Sequence, residues 1–342
     1  MQNNLREQRK MKNYIGLNSQ IRGAERYTLQ DGKGKGMDFL YVRNGLGLTA
    51  WISIDRAGDI SRLEFEGANI GFTSPCGYVA PTYYDKEGTN FLNSFTAGFF
   101  TTCGLTAVGS PSEDDGEVTP LHGTISHIPA LLRAIEEDED SLKIKLLVSD
   151  AVIFGRKLLL ERVYTFSYRE NTFTLSDTVK NEGDIESPYM IMYHCNMGYP
   201  LLSERSILKI PYNSIAARTD NALEHIDSAL KMEPPQPNFL ERCYYYDLKE
   251  TDSLAQAGIF NPELGKGLVM SFSKAQLPEF IEWKMMGRRD YVLGLEPANC
   301  TPDGRAVMRE QGKLKFLKPD ESAVTELTFS FFNSQSDFEG KF

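Results

Sequence analysis

Among 342 residues there is no Cys-x-x-Cys pair, and the five cysteines (Cys76, Cys103, Cys195, Cys243, Cys300) are odd in number. That argues against a disulfide framework or a zinc ribbon and predicts free thiols in a reducing, cytoplasmic compartment. No His-x-His or His-Glu-x-x-His pair occurs among the four histidines, so the usual zinc-enzyme spacings are excluded. The acidic run Glu113-Asp114-Asp115-Gly116-Glu117 lacks EF-hand spacing and reads as a solvated loop. A Gly-x-Gly-x-x-Gly nucleotide fingerprint is missing. So is a charged start followed by an apolar segment, as a secretory signal would need. The uncharged apolar runs are far shorter than a membrane span. Positive charge is in deficit as well: 37 Lys and Arg against 47 Asp and Glu give a net charge of −10. Such a chain makes a poor electrostatic partner for nucleic acid or an anionic membrane.

What the chain does have is β pattern. Aromatic residues reach 11% and suit half-buried sheet faces. Leu48–Ile54 and Leu142–Val148 alternate. In the run 157–168, Leu160, Arg162, Tyr164, Phe166 and Tyr168 alternate with Glu161, Val163, Thr165 and Ser167. Strand composition returns at 171–179, 207–210, 257–260, 267–272, 280–283, 291–295, 314–317 and 324–332. Only 128–137 and 219–232 have helical composition. Many short strands with turns between them predict an all-β fold, a large two-sheet sandwich with few short helices. Turn residues are spread evenly, which predicts one domain over residues 13–342 after a frayed polar lead-in at 1–12. Residues 76–130 stand apart: rich in Gly, Pro, Thr and Tyr, they read as a long functional loop.

Two positions could carry proton chemistry. The stretch Ser187 to Leu202 is an apolar strand that gives out at His194. Alternation puts Met190, Met192, His194 and Asn196 on one face, and Tyr189, Ile191 and Tyr193 on the other. An imidazole is suited to proton transfer near neutral pH. Glu296 directly follows the apolar run Tyr291-Val292-Leu293-Gly294-Leu295, where burying an unpaired carboxylate would be costly. His122 precedes Gly123, which permits a positive φ or a close backbone approach. His127 reads as structural and His225 as a surface residue.

In order along the chain, Leu121-His122-Gly123, the run Asp177 to Gly183, Tyr193-His194-Cys195-Asn196 and Gly294-Leu295-Glu296-Pro297 resemble the aldose 1-epimerases, or galactose mutarotases. The segments Asp55–Ile60, Thr102–Leu105, Gly198–Leu202 and Trp283–Gly287 are more similar to an uncharacterised aldose-epimerase-like branch, classed as a domain of unknown function. The resemblance covers about residues 37 to 335. It implies a supersandwich and a site that needs neither metal nor cofactor. The histidine matching His194 would be the general acid on the ring oxygen, and the glutamate matching Glu296 the general base on the anomeric hydroxyl. The histidine matching His122 and an arginine, assigned to Arg56, would bind sugar hydroxyls. The family's third acidic position falls to Glu241 in preference to Asp247. Trp283 could stack on the sugar and Lys284 could pair with an acidic substituent. The implied partner is a small-molecule sugar, and the chain would act as a monomer or homodimer. This chain leaves the family pattern at Cys195–Pro200 and at Pro297-Ala298, which bears on sugar specificity more than on proton transfer. A non-catalytic sugar-binding or sensor protein on the same fold is the alternative.

Overall fold

The computed structural model describes residues 13–342; the expected frayed lead-in at 1–12 lies outside the described residues. Three sheets make up most of the structure. The first is a five-stranded meander from Gly23–Thr28 to Ala68–Asn69. The second has nine strands and includes the long antiparallel set Ser141–Ala151, Lys157–Ser167, Thr172–Asn181 and Ser322–Phe332. The third, seven-stranded sheet carries the order Arg242–Leu248, Glu279–Met286, Tyr291–Ala298, Ser187–Met197, with Phe100–Leu105 also paired to the last. The helices are short: Asp220–Glu224, Arg305–Glu310 and Gln335–Glu339. The all-β expectation therefore holds. No helix among the described residues is long and apolar enough to cross a membrane.

The alternation expected around His194 is present. Tyr189, Ile191, Tyr193, Cys195 and Met197 enter the main hydrophobic cluster, which reaches from Leu40 to Phe331. Met190 and Met192 enter a second cluster with Cys103, Ile281 and Cys300 on the opposite face. All five cysteines are free.

Three local expectations fail. Residues 131–137 form an edge strand paired with Ser141–Ala151, not a helix. Their Ala, Leu and Glu content favours a helix in isolation, but the neighbouring strand supplies ladder partners. The loop 76–130 contains a strand, Phe100–Leu105, every residue of which is buried. Within the acidic run, Asp114 is buried between Arg305 (Nε–Oδ2 2.8 Å) and Arg309, so that residue is clamped and not solvated.

Arg162 occupies a row otherwise filled by Leu158, Leu160, Tyr164 and Phe166, and it too is fully buried. Its guanidinium holds Asp177 through two bonds, Nε–Oδ1 2.9 Å and Nη2–Oδ2 2.7 Å. Nη1 donates to Asp59 Oδ1 at 2.7 Å and Nη2 to Thr102 Oγ1 at 2.7 Å. Asp177 also accepts from Tyr193 Oη at 2.8 Å, one residue before His194. All three sheets are thus tied to one cation. Replacing Arg162 with Leu should cost about 3–5 kcal/mol, because Asp59 and Asp177 stay buried without their counter-ion. Urea unfolding measures this. Arg162→Lys should recover little of it, since an ammonium cannot reproduce the forked contacts.

Candidate active site

The antiparallel register sets Cys195 opposite Leu295 and Met192 opposite Ala298, which brings His194 alongside Glu296. Their side chains meet at Nε2–Oε1 3.2 Å, and both are almost fully buried. The contact is close but poorly aligned for a hydrogen bond, and Glu296 Oε1 has no such partner. The two groups are neighbours on one sheet face. They do not oppose each other across a bound ring.

Gly294 makes this arrangement possible. A Cβ there would lie 2.3 Å from Glu296 Oε1 and 3.0 Å from Trp283 Cβ. The carboxylate folds back into the space that a side chain would fill.

His194 and Glu296 lie at a cleft of ≈ 400 Å³ that is also lined by His122, Arg218, Glu241 and Trp283. Phe95, His122 and Trp283 meet the His194 ring edge-on, at centroid distances of 5.4, 5.5 and 5.2 Å. His122 is held at φ 60° by backbone bonds to Gly104 and Gly109. The following Gly123 has φ 73°, and a Cβ on it would lie 2.3 Å from the Gly104 carbonyl oxygen. The glycine is required there by close approach, as its place after His122 suggested. His122 Nδ1 is buried without a hydrogen-bond partner.

Burial dominates the electrostatics. It lowers the His194 imidazole to about 4, and the Asn196 side chain beside it opposes the shift. It also raises the Glu296 carboxyl well above the usual range, with Arg218 opposing. His122 is likewise pushed down by burial and by His194. Each group is thereby driven towards its uncharged form.

The remaining expected residues divide. Glu241 lines the cleft and accepts from Trp283 Nε1 at 2.8 Å. Asp247, the rejected choice, is bound to Lys274 and Asn213 instead. Trp283 is at the cleft, but Lys284 is not. Lys284 points to the opposite face, fully buried, and donates to the carbonyls of Ser228, Ala229 and Lys231. Adjacent residues in a strand cannot share a face. Arg56 is also absent from the cleft: its Nη1 donates to the Val79 and Ser94 carbonyls, each at 3.1 Å. That arginine anchors the 76–130 segment. His127 is structural, placed between Ser94 and Ser126 and stacked on Tyr84.

The arginine at the cleft is Arg218, which the sequence reading missed. It follows the Tyr212–Ala217 strand and is fixed by Asp303 (Nε–Oδ1 3.2 Å), Ser110 Oγ and the Pro302 carbonyl. Tyr245 Oη donates to the same Asp303 oxygen at 2.7 Å. Among the described residues, no group of three or more His, Cys, Asp or Glu is arranged to hold a metal ion.

The family model of a domain of unknown function, DUF4432, matches residues 34–331. The chain belongs to the DUF4432 family. No curated protein matches it in sequence. Among solved structures, this DUF4432 chain is similar to a candidate aldose 1-epimerase from Klebsiella pneumoniae. The two are 26% identical with a TM-score of 0.87, over 93% of this chain and 85% of that one. It is also similar to a galactose mutarotase-like protein from Clostridium acetobutylicum (15% identity, TM-score 0.64, 92% and 99% covered). A third is galactose 1-epimerase from Lactobacillus acidophilus (13%, TM-score 0.62, 92% and 100%). The DUF4432 chain thus has the galactose mutarotase-like fold, as the motif order implied.

Two measurements test this geometry. The His194 imidazole should stay neutral down to a midpoint of about 4 in an NMR titration; its depressed value means that charge is gained only as pH falls through that point. Gly294→Ala should displace the Glu296 carboxylate while the Arg162 network is untouched. The expected outcome, read by urea unfolding, is a loss of about 1–3 kcal/mol, the usual cost of overpacking a buried site.

Proposed function

We propose that this protein is a sugar 1-epimerase of the mutarotase type, interconverting the anomers of an aldose or aldose derivative by acid–base ring opening. The observation that carries the reading is the 3.2 Å pair of His194 and Glu296 on the face of a buried cleft. Ring opening removes a proton from the anomeric O1 and delivers one to the ring oxygen O5. Both oxygens are bonded to C1. An acid and a base standing side by side therefore suit them better than groups on opposite walls.

The pair needs one proton between its two members. At rest the proton sits on Glu296, since burial raises that carboxyl and lowers His194. Transfer to His194 gives an imidazolium beside a carboxylate. His194 then protonates O5 as the C1–O5 bond breaks, and Glu296 takes the O1 proton as the carbonyl forms. Rotation about C1–C2 and the reverse transfers close the ring on the other face of C1. His122, Arg218 and Glu241 would bind hydroxyls, with Trp283 against the ring. Arg218 takes the role that the resemblance had assigned to Arg56.

The test is anomer exchange followed by NMR across neutral aldoses and uronic acids. Glu296→Gln and His194→Ala should each slow exchange by roughly 10²–10⁴-fold, the usual worth of a positioned acid or base. Ligand binding with exchange no faster than in His194→Ala would favour a sugar sensor instead. The pH dependence of kcat/KM should have two limbs. Activity falls as pH drops through about 4, where His194 gains a second proton for the pair. It falls again as pH rises through the elevated Glu296 value, where the single proton is lost. Glu296→Gln should remove the alkaline limb.

A further inference from the structure

A second chamber, of ≈ 510 Å³, adjoins the cleft. The two share Leu92, Phe95, Glu241 and Trp283. The Trp283–Glu241 hydrogen bond therefore forms part of the wall common to both. Beyond that wall the lining turns apolar, with Phe72, Pro75, Phe239, Leu240, Met285 and Val292. Phe239 is held in place by the Arg242 guanidinium, 4.5 Å from its ring centroid. The chamber is thus a built apolar space and continues the reaction cleft.

Its charges are all of one sign. Glu241 and Asp290 line it, and among the described residues no Lys, Arg or His does. Lys284, once expected to receive an acidic substituent, is sealed on the other face of its strand. A carboxylate, sulfonate or phosphate entering the chamber would meet two carboxylates and no cation. A bare hexose would leave the apolar walls wet.

We infer that the substrate is an uncharged reducing sugar carrying an apolar substituent of alkyl, acyl or aryl class, which the chamber receives while C1 lies at His194 and Glu296. This rests on the epimerase reading for where the sugar sits. Burying such a group removes apolar surface from water on both sides of the contact, and even small apolar groups in such a pocket discriminate by about 10-fold or more.

The experiment compares glucose and galactose with their 3-, 4- and 6-O-benzyl ethers and their 6-phosphates. Binding is read by saturation-transfer NMR and by tryptophan fluorescence, with anomer exchange followed separately. At least one benzyl ether should bind about tenfold or more tightly than its parent sugar, and the phosphates no better than the parent. Met285→Trp, which fills the chamber, should abolish the benzyl preference and spare the parent sugar. Leu240→Asp should do the same from a position 69% exposed, where folding is not at stake. Equal binding of parent and ether, or a preference unchanged in both variants, overturns the inference. Tighter binding of the ether without exchange upholds the chamber and overturns the epimerase reading.

Discussion

The buried Arg162 guanidinium is the constraint on which the rest of the structure depends. One cation satisfies two carboxylates, Asp59 and Asp177, and a hydroxyl on Thr102. These partners come from separate sheets, so the charge can be buried only when all three are docked together. Register follows from the same requirement. A one-residue slip of the Ser187–Met197 strand would turn Tyr193 away from Asp177 and His194 away from the cleft. The network and the His194–Glu296 pair are opposite faces of one strand, and neither can shift without the other.

On the cleft face the same burial has a different effect. There the imidazole and the carboxyl have no dedicated counter-ion. Both are driven towards neutrality, and they lie close enough to share a proton. Arg218 is the positive charge that acts on Glu296, and Asp303 partly offsets it. A low-dielectric site of this kind strengthens any interaction made with a developing charge. The second chamber extends the cleft with apolar walls and adds no cation.

Much of this was legible in the sequence, residue by residue. The alternation from Met190 to Asn196, the glycine after His122 and the carboxylate ending an apolar run each carry a local physical signature. Arg218 carries none: a single arginine after a modest strand reaches the cleft only because distant Asp303, Ser110 and Pro302 hold it. Arg56 misled for the opposite reason. It stands in a turn that looks functional, yet the turn serves to anchor a loop through two carbonyl groups. Lys284 could have been resolved by strand parity once Trp283 was placed. The edge strand at 131–137 was hidden by its helix-favouring composition, although its hairpin partner Ser141–Ala151 follows directly, and the buried Asp114 because Arg305 and Arg309 lie far along the chain.

His194 and Glu296 reside on adjacent, hydrogen-bonded strands, and their separation is therefore set by the lateral spacing of a sheet, about 4.8 Å. The cleft walls, by contrast, draw in part on connecting segments: Thr89, Phe91, Leu92 and Phe95, then Ser110 and Pro111, and Glu241. The proposed proton-transfer pair is in this way held by the sheet, while part of the cleft wall comes from connections outside it. Exchange or lengthening of those connections would alter the cleft wall while leaving the His194–Glu296 pair in place. The fold would then serve as a chassis for redesign, with selectivity varied at its rim.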